Sequence, residues 1–348
     1  MKNRNKILFI FICSFMLVLC ACKNEKNQAK KIEEVKQSDI QVNITRFEDQ
    51  LFACDPNKLD VDLPKLEKQF PLFYPVFYNQ VLQVPTFGDK GTQLNYMRDF
   101  ITNKYNTGLL DSVKKTFPNL DFLKKDLEIL FTNYKSHFPK KPTPKVITCI
   151  SEFQSSTFTV TDSIIAISLD LYLGPKYIYY ADIFKQYSFM IPTFDKKYMA
   201  IDCANVLATN LVPPPGDNST LLDKMIAKGK MFYIMENLLP NKDENDIIKY
   251  TKKDWKFCIN NQVNIWTYFI NKKLLYDTRF EQYKYITEAP TTYGMPKESP
   301  GRVGAWLGWQ IVRAYMQQHP STTIKELLAI KDGQKILTES KYKPTSSN

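Results

Sequence analysis

The sequence predicts a predominantly helical α+β protein in which a small antiparallel β-sheet packs on helices. Three observations point there. Apolar residues recur at helical spacing through most of the chain, a stretch near the middle changes to β-branched runs, and from Ile44 onward no low-complexity linker, charge block or fixed-period repeat divides the sequence. The 348 residues are 44% apolar and 14% aromatic, enough to bury a sizeable core, and with only 11 Gly they are neither collagen-like nor broadly disordered.

The chain begins with Lys2, Arg4 and Lys6, followed by an uncharged run over residues 7–19. A helix of that length cannot cross a hydrocarbon core of about 30 Å, so the run reads as a secretion signal. It ends in Leu19-Cys20-Ala21-Cys22. Leu at −3, a small residue at −1 and Cys directly after the cut form the pattern of a bacterial lipobox. Residues 1–21 are then a lipoprotein signal peptide, and the Cys22 thiol takes a diacylglyceryl group. Two or three acyl chains hold such a protein stably on a bilayer, where one chain would not. Cys20 is the poorer acceptor, because Leu19 would stand at its −1 position. Residues 22–41 are polar and mixed in charge and read as a flexible tether with an r.m.s. reach of about 20–25 Å. Residues 42–348 are expected to form one helical domain.

Within that domain, Phe70-Pro-Leu-Phe-Tyr-Pro-Val-Phe-Tyr78 reads as a buried helix face. Residues 119–137 carry Phe122, Leu123, Leu127, Leu130, Phe131 and Tyr134 at one-sided helical spacing, and Pro139, Pro142 and Pro144 close the segment. Strands are expected at 146–150, 157–160 and 164–169, with Asp162-Ser163 as the turn between the last two. Helices follow near 195–210, 220–238, 243–272, 302–318 and 322–340. The 243–272 segment shows a broad stripe of Ile248, Trp255, Ile259, Val263, Trp266 and Ile270. Ser299-Pro300-Gly301-Arg302 reads as a helix start, with Ser as N-cap and Pro at the first helical position.

The formal charge of +11 comes from 47 basic residues, of which only six are Arg. Nucleic-acid readers rely on Arg and on clustered basic residues, whereas these Lys are spread along the chain, so no nucleic-acid partner is expected. Loss of the signal lowers the charge to +8. There are two histidines, His137 and His319, and no H-E-x-x-H, so the usual zinc-protease helix is absent. No C-x-x-C occurs, and Cys54, Cys149, Cys203 and Cys258 leave disulfides and buried free thiols equally open. Nucleophile elbow, P-loop and dinucleotide fingerprints are also missing. The sequence therefore assigns no catalytic, cofactor-binding or metal-ligating residue, and no cofactor.

Structural or partner candidates remain. Asp170 follows the last strand, where a side chain can enter a cleft. Arg302 lies at a helix start, and Gly304 and Gly308, flanked by Trp306 and Trp309, let another backbone approach closely. Lys228 interrupts an apolar stripe of Leu221, Met225, Phe232, Met235 and Leu239.

The lipobox occurs together with Ile167-Ser-Leu-Asp-Leu-Tyr-Leu-Gly174, Leu222-Asp-Lys-Met-Ile-Ala-Lys-Gly-Lys230, Asn237-Leu-Leu-Pro240, Trp266-Thr-Tyr-Phe-Ile270, Ser299-Pro-Gly-Arg302 and Gly308-Trp-Gln-Ile-Val-Arg-Ala-Tyr-Met316. In this combination the chain resembles the gliding-motility lipoprotein GldB family of Bacteroidota over nearly its whole length. The resemblance implies an outer-membrane lipoprotein needed for gliding, with membrane lipid and other gliding-machinery proteins as partners and no established chemical step. Lys23-Asn24-Glu25 offers one acid after Cys22, where surface-exported lipoproteins carry several, so the periplasmic face is expected.

The family is also distantly similar to predicted zinc peptidases, in which an H-E-x-x-H helix precedes a second helix with a Glu ligand before Gly. Here the first helix would lie near 198–209 without any His, and Lys228-Gly229 stands for Glu-Gly. A degenerate zincin-like core without its metal ligands is the implied fold, and an inactive scaffold or adaptor the implied role. The competing reading is a hydrolase, peptidase-like or peptidoglycan-active, using unrecognised carboxylate chemistry. Lys228 is expected to fill the vacated metal position and pair with Asp202, since a buried Lys needs a partner.

Overall fold

The computed structural model describes residues 40–85 and 89–345. The signal peptide, Cys22 and all but the last two residues of the expected tether lie outside the described residues.

Four short strands form one sheet in the order β1 (Ile44–Arg46), β2 (Lys145–Cys149), β4 (Ile164–Ser168), β3 (Thr157–Val160). β3 and β4 pair antiparallel around the Thr161–Ser163 turn, where Thr161 takes φ 58°. The expectation of a wholly antiparallel sheet is corrected by the other two pairings, β1 with β2 and β2 with β4, which are parallel. β1 escapes a sequence reading because three residues carry no period-2 signal.

Alternation along the strands builds a core on each face of the sheet. Ile147, Cys149, Ile164 and Ala166 face one apolar layer, and Val146, Ile165 and Ile167 face the other. The first layer comes from α1 (Phe47–Leu51), α2 (Leu59–Gln69), α3 (Phe73–Val76, continued by a π turn over Phe77–Val81) and α4 (Lys90–Thr102). Phe47 is fully buried there, with ring centroids 5.2, 4.9 and 4.9 Å from those of Phe70, Phe73 and Phe77. The aromatic run thus supplies a buried face. Beside it, the buried Glu48 accepts from Thr148 Oγ1 (2.8 Å) and Arg46 Nε (2.8 Å). Arg46 Nη1 also donates to the Phe117 carbonyl (2.7 Å).

The second layer is larger. It contains α5 (Lys104–Thr116), α6 (Asp121–His137), the short α7 (Tyr180–Ile183), α8 (Met199–Leu211) and α9 (Leu221–Leu238), with more helices further along the chain. α9 starts at a capping box, Thr220 with Asp223, and is buried on almost every side, as a central helix must be. α13 (Val303–Gln318) crosses it where glycines meet. A Cβ on Gly308 would stand 1.9 Å from the Met225 carbonyl oxygen, and one on Gly229 would stand 2.3 Å from that of Gly308. A Cβ on Gly304, one turn earlier, would stand 2.8 Å from the Tyr285 carbonyl oxygen. Trp306 and Trp309 are fully buried beside this crossing, so they pack the core and face no partner.

Three sequence expectations change here. The 243–272 segment is not one helix but α10 (Glu244–Ile247), α11 (Lys252–Asn260) and α12 (Gln262–Asn271). A capping box of Thr251 with Asp254 restarts the chain, and the break at Asn261 shifts the phase. Ile265 and Phe269 are therefore buried, while Val263 (41% exposed) and Ile270 (45%) face outward. The last segment divides into α14 (Ile324–Ala329) and α15 (Gly333–Ser340), because the Asp332 carboxylate caps the backbone N–H groups of Gln334 and Lys335. The N-cap of α13 is Arg302, not Ser299, whose hydroxyl instead donates to the Pro300 carbonyl (3.1 Å). The four described cysteines are free thiols, and Cys149, Cys203 and Cys258 are buried. Among the described residues no helix is long and apolar enough to cross a membrane.

Candidate functional site

Two adjoining hollows open where the β4 end, α8, residues 249–254 and the segment before α13 meet. One, of about 220 Å³, has Phe153, Leu171, Tyr172, Phe184, Phe194 and Asp202 in its wall. The other, of about 150 Å³, is lined by Tyr250, Asp254, Glu288, Pro300 and Arg302. Met190, Thr193 and Lys249 line both, so the two form one cleft with an apolar and a charged compartment.

Each charged side chain is placed by a distinct local device. Asp202 lies in the first turn of α8, 8% exposed. Its Oδ2 accepts from the Tyr172 hydroxyl (2.7 Å), delivered by the Leu169–Tyr172 3-10 turn after β4, and its Oδ1 pairs with Lys249 Nζ at 2.5 Å. Lys249 follows α10 in a left-handed conformation, φ 52°. Arg302 is also left-handed, φ 50°, and its guanidinium bonds Glu288 Oε1 (2.7 Å) and the Ile248 carbonyl. Gly301 leaves no room for a side chain, since a Cβ would stand 2.1 Å from the Ala289 carbonyl oxygen. That contact fixes the approach of the chain to Arg302.

The charges act on one another. The Arg302 guanidinium holds the Glu288 carboxyl below its ordinary range, with Lys249 and Lys228 adding to the effect. Burial and then the Arg302 charge lower the Lys228 ammonium, against which Glu288 works. Burial, reinforced by the Asp202 charge, keeps the Tyr172 hydroxyl protonated far above neutrality, so it acts as a donor. Cys203 beside Asp202 is pushed up by burial and by that carboxylate, which removes it as a thiolate nucleophile. The cleft thus sets Lys249 and Arg302 against Asp202, Asp254 and Glu288, while Lys228, which does not line it, acts on Glu288 from nearby. The cleft is built to hold charge in fixed positions. Among the described residues no group of three or more His, Cys, Asp or Glu side chains comes together to hold a metal ion.

Of the sequence candidates, Asp202 and Arg302 line this cleft, and Lys228 does not. The expected Lys228–Asp202 pair is not formed: Lys249 and Tyr172 take the carboxylate, and among the described residues Lys228 has no carboxylate within 4 Å. Asp170 does not enter the cleft. It is fully buried and accepts from the backbone N–H of Phe153 (2.6 Å) and of Ser151 (3.2 Å), where it fixes the turn that carries Glu152 and Phe153 at φ 52° and 65°. Lys249 and Glu288 went unread because each is one polar residue in a segment without periodicity. Tyr172 lies inside the quoted 167–174 motif, which was the available signal.

The family model described as gliding motility protein GldB matches residues 28–344. The chain belongs to the GldB family. No curated protein and no solved structure shows a match. Two of the segments that carry the family likeness, 167–174 and 299–302, bring residues to the charged cleft. The cleft is therefore where the GldB-like sequence pattern and the concentration of charge coincide.

Proposed function

We propose that the protein is a lipoprotein of the gliding apparatus, held in the outer membrane by acyl chains on Cys22, facing the periplasm, and acting through protein contacts rather than catalysis. The observation that carries this reading is the family match over residues 28–344. The lipobox at Leu19-Cys20-Ala21-Cys22 supplies the anchor, residues 22–41 the tether, and residues 42–348 the contact-making domain. Support for a non-catalytic role comes from the cleft. Asp202, the carboxylate best placed to serve as a base, is already engaged by an ammonium and a phenol, and Lys228 stands where the peptidase-like pattern has a Glu ligand.

Deletion and complementation test the reading. Wild-type protein restores gliding. Cys22→Ala leaves a full-length, unprocessed and unanchored protein that does not, whereas Lys228→Ala keeps normal abundance and anchoring. A Cys22→Ala protein that is still cut before residue 22, membrane-bound and motile would overturn the anchor. Stoichiometric zinc together with hydrolysis by the purified protein would overturn the non-catalytic role.

A further inference from the structure

We infer that a hollow in the α1–α4 layer receives a cationic side chain, Lys or Arg, of a partner protein. This rests on the contact-making reading above and gives it a recognition site. Three features of the hollow specify the ligand.

The first is its lining. α2, α3 with its π turn, and α4 wall off about 310 Å³, with Leu59, Leu63, Tyr74, Pro75, Tyr78 and Leu94 as the apolar surface. That volume stands at the small end of ligand pockets and suits one long side chain. The Tyr74 and Tyr78 rings stack, with centroids 5.5 Å apart and planes at 27°. Tyr78 stands on the π turn, a helical irregularity that recurs at functional sites. Aromatic faces attract cations, and the Leu and Pro side chains beside them cover an aliphatic stem.

The second is charge. The charged residues of the lining are Asp60, Glu67 and Lys90, which leaves one negative charge over. Among the described residues no cation stands within 4 Å of the Asp60 or Glu67 carboxylate, whereas the neighbouring Asp55 and Asp62 are paired with Lys58 and Lys65. One uncompensated carboxylate beside aromatic rings is matched by a monocation. An anion is repelled there, and a neutral group leaves the charge unanswered.

The third is a pair of open acceptors. Among the described residues neither the Tyr74 nor the Tyr78 hydroxyl makes a hydrogen bond. Burial first, and then neighbouring groups with Glu67 among them, keep both phenols protonated above their ordinary range. The Glu67 carboxylate thus lies within electrostatic reach of both rings. Each phenol oxygen stays neutral and accepts from an ammonium or guanidinium N–H.

The test uses the full chain purified in a non-ionic detergent and fluorescent, N-acetylated pentapeptide amides of Gly and Leu. Their central residue is Lys, Arg or norleucine, the last keeping the stem and lacking the charge. At low salt the Lys peptide binds about tenfold more tightly than the norleucine peptide, and the gap narrows as NaCl is added. An Arg peptide that binds as well as Lys shows that charge and stem suffice, and a weaker one assigns the site to Lys. Glu67→Gln loses about threefold for the Lys peptide, Asp60→Asn with Glu67→Gln about tenfold, and neither change moves the norleucine peptide. Tyr78→Phe keeps the ring and retains binding, and Glu298→Gln, which does not line the hollow, changes nothing. Thermal unfolding of each variant confirms that its fold is intact. Equal binding of the Lys and norleucine peptides, no binding of any peptide, or unaltered binding by the double variant overturns the inference. Carbodiimide coupling then reads the occupant. Glu67 joined to the Lys peptide supports a partner, whereas Glu67 joined to a Lys of residues 23–36 in its own chain overturns it. Peptide masses are read after each run. Shortened peptide overturns the non-catalytic reading, whereas intact but unbound peptide overturns the cation site alone.

Discussion

The two faces of the sheet are built by different means. On the α1–α4 face, Phe47 stands among Phe70, Phe73 and Phe77, and ring packing does most of the work, with Glu48 held by Thr148 and Arg46 at its edge. On the other face the α9–α13 crossing brings backbones together through Gly229 and Gly308, and the helices around it hold charged groups with specific partners. Arg313 pairs with Glu236 and with Glu244, the buried Lys230 donates to the Ile330 carbonyl, and Lys249 pairs with Asp202. An aromatic cluster tolerates small shifts because dispersion is not directional. Buried charges do not, because each needs its partner in place. The face that has to keep charges in register is the face that carries the cleft.

The sharpest way to break this contrast is at the glycine crossing. Gly308→Leu places its first side-chain carbon inside the Met225 carbonyl, so the helices must part, and loss of more than about 5 kcal/mol is expected, seen as failure to accumulate folded protein. Phe47→Ala on the other face is expected to cost about 3–5 kcal/mol by urea unfolding while leaving a folded protein, since a cavity is the main consequence.

The next contrast is in pH dependence. Burial pushes the Asp170 carboxyl up to about 7, against bonds from the Phe153 and Ser151 backbone that favour its anion. The unfolded chain releases that proton near pH 3.9, so between about pH 4 and 7 the folded state binds more protons and stability falls as pH rises, levelling off above 7. The full contribution is about 4 kcal/mol. Asp170→Asn is expected to flatten much of this slope in unfolding curves taken from pH 4.5 to 7.5. Glu48, also raised by burial, leaves a residual slope, and Phe47→Ala shifts all the curves together. The smallest effect belongs to Gly108 within α5, where a Cβ meets nothing within 4 Å, so Gly108→Ala should stabilise by about 0.5–1 kcal/mol.

The residues readable from sequence were those whose pattern has a local cause. Periodicity marks α6, α8, α9 and α13 because each lays a continuous apolar stripe on the second layer. Gly304 and Gly308, one turn apart, announced a close helix approach. The three-residue β1, the restart at Thr251 and the phase break at Asn261 depend on tertiary contacts or single caps, which a repeat cannot encode. At the cleft, Arg302 was legible as a helix start, and Asp202 only as the expected partner of Lys228. Their actual partners were not legible, because Lys249 and Glu288 arrive from segments 47 and 86 residues beyond Asp202. The error over Lys228 has a different origin. The pair was expected from the peptidase-like resemblance and from the need of a buried Lys for a partner, and Lys249 holds the carboxylate instead.

β1 has a mechanical consequence. It is the first paired strand among the described residues, and its register with β2 covers only Ile44, Thr45 and Arg46. Tension drawn through the N-terminal end of the chain meets the buried Val42 first and then this short pairing. The side chain of Arg46, the last residue of the strand, is bonded to Glu48 and to the Phe117 carbonyl and acts as a clasp at its end. A pull that opens the strand is therefore arrested at Arg46 before it reaches Phe47 and the rings packed around it.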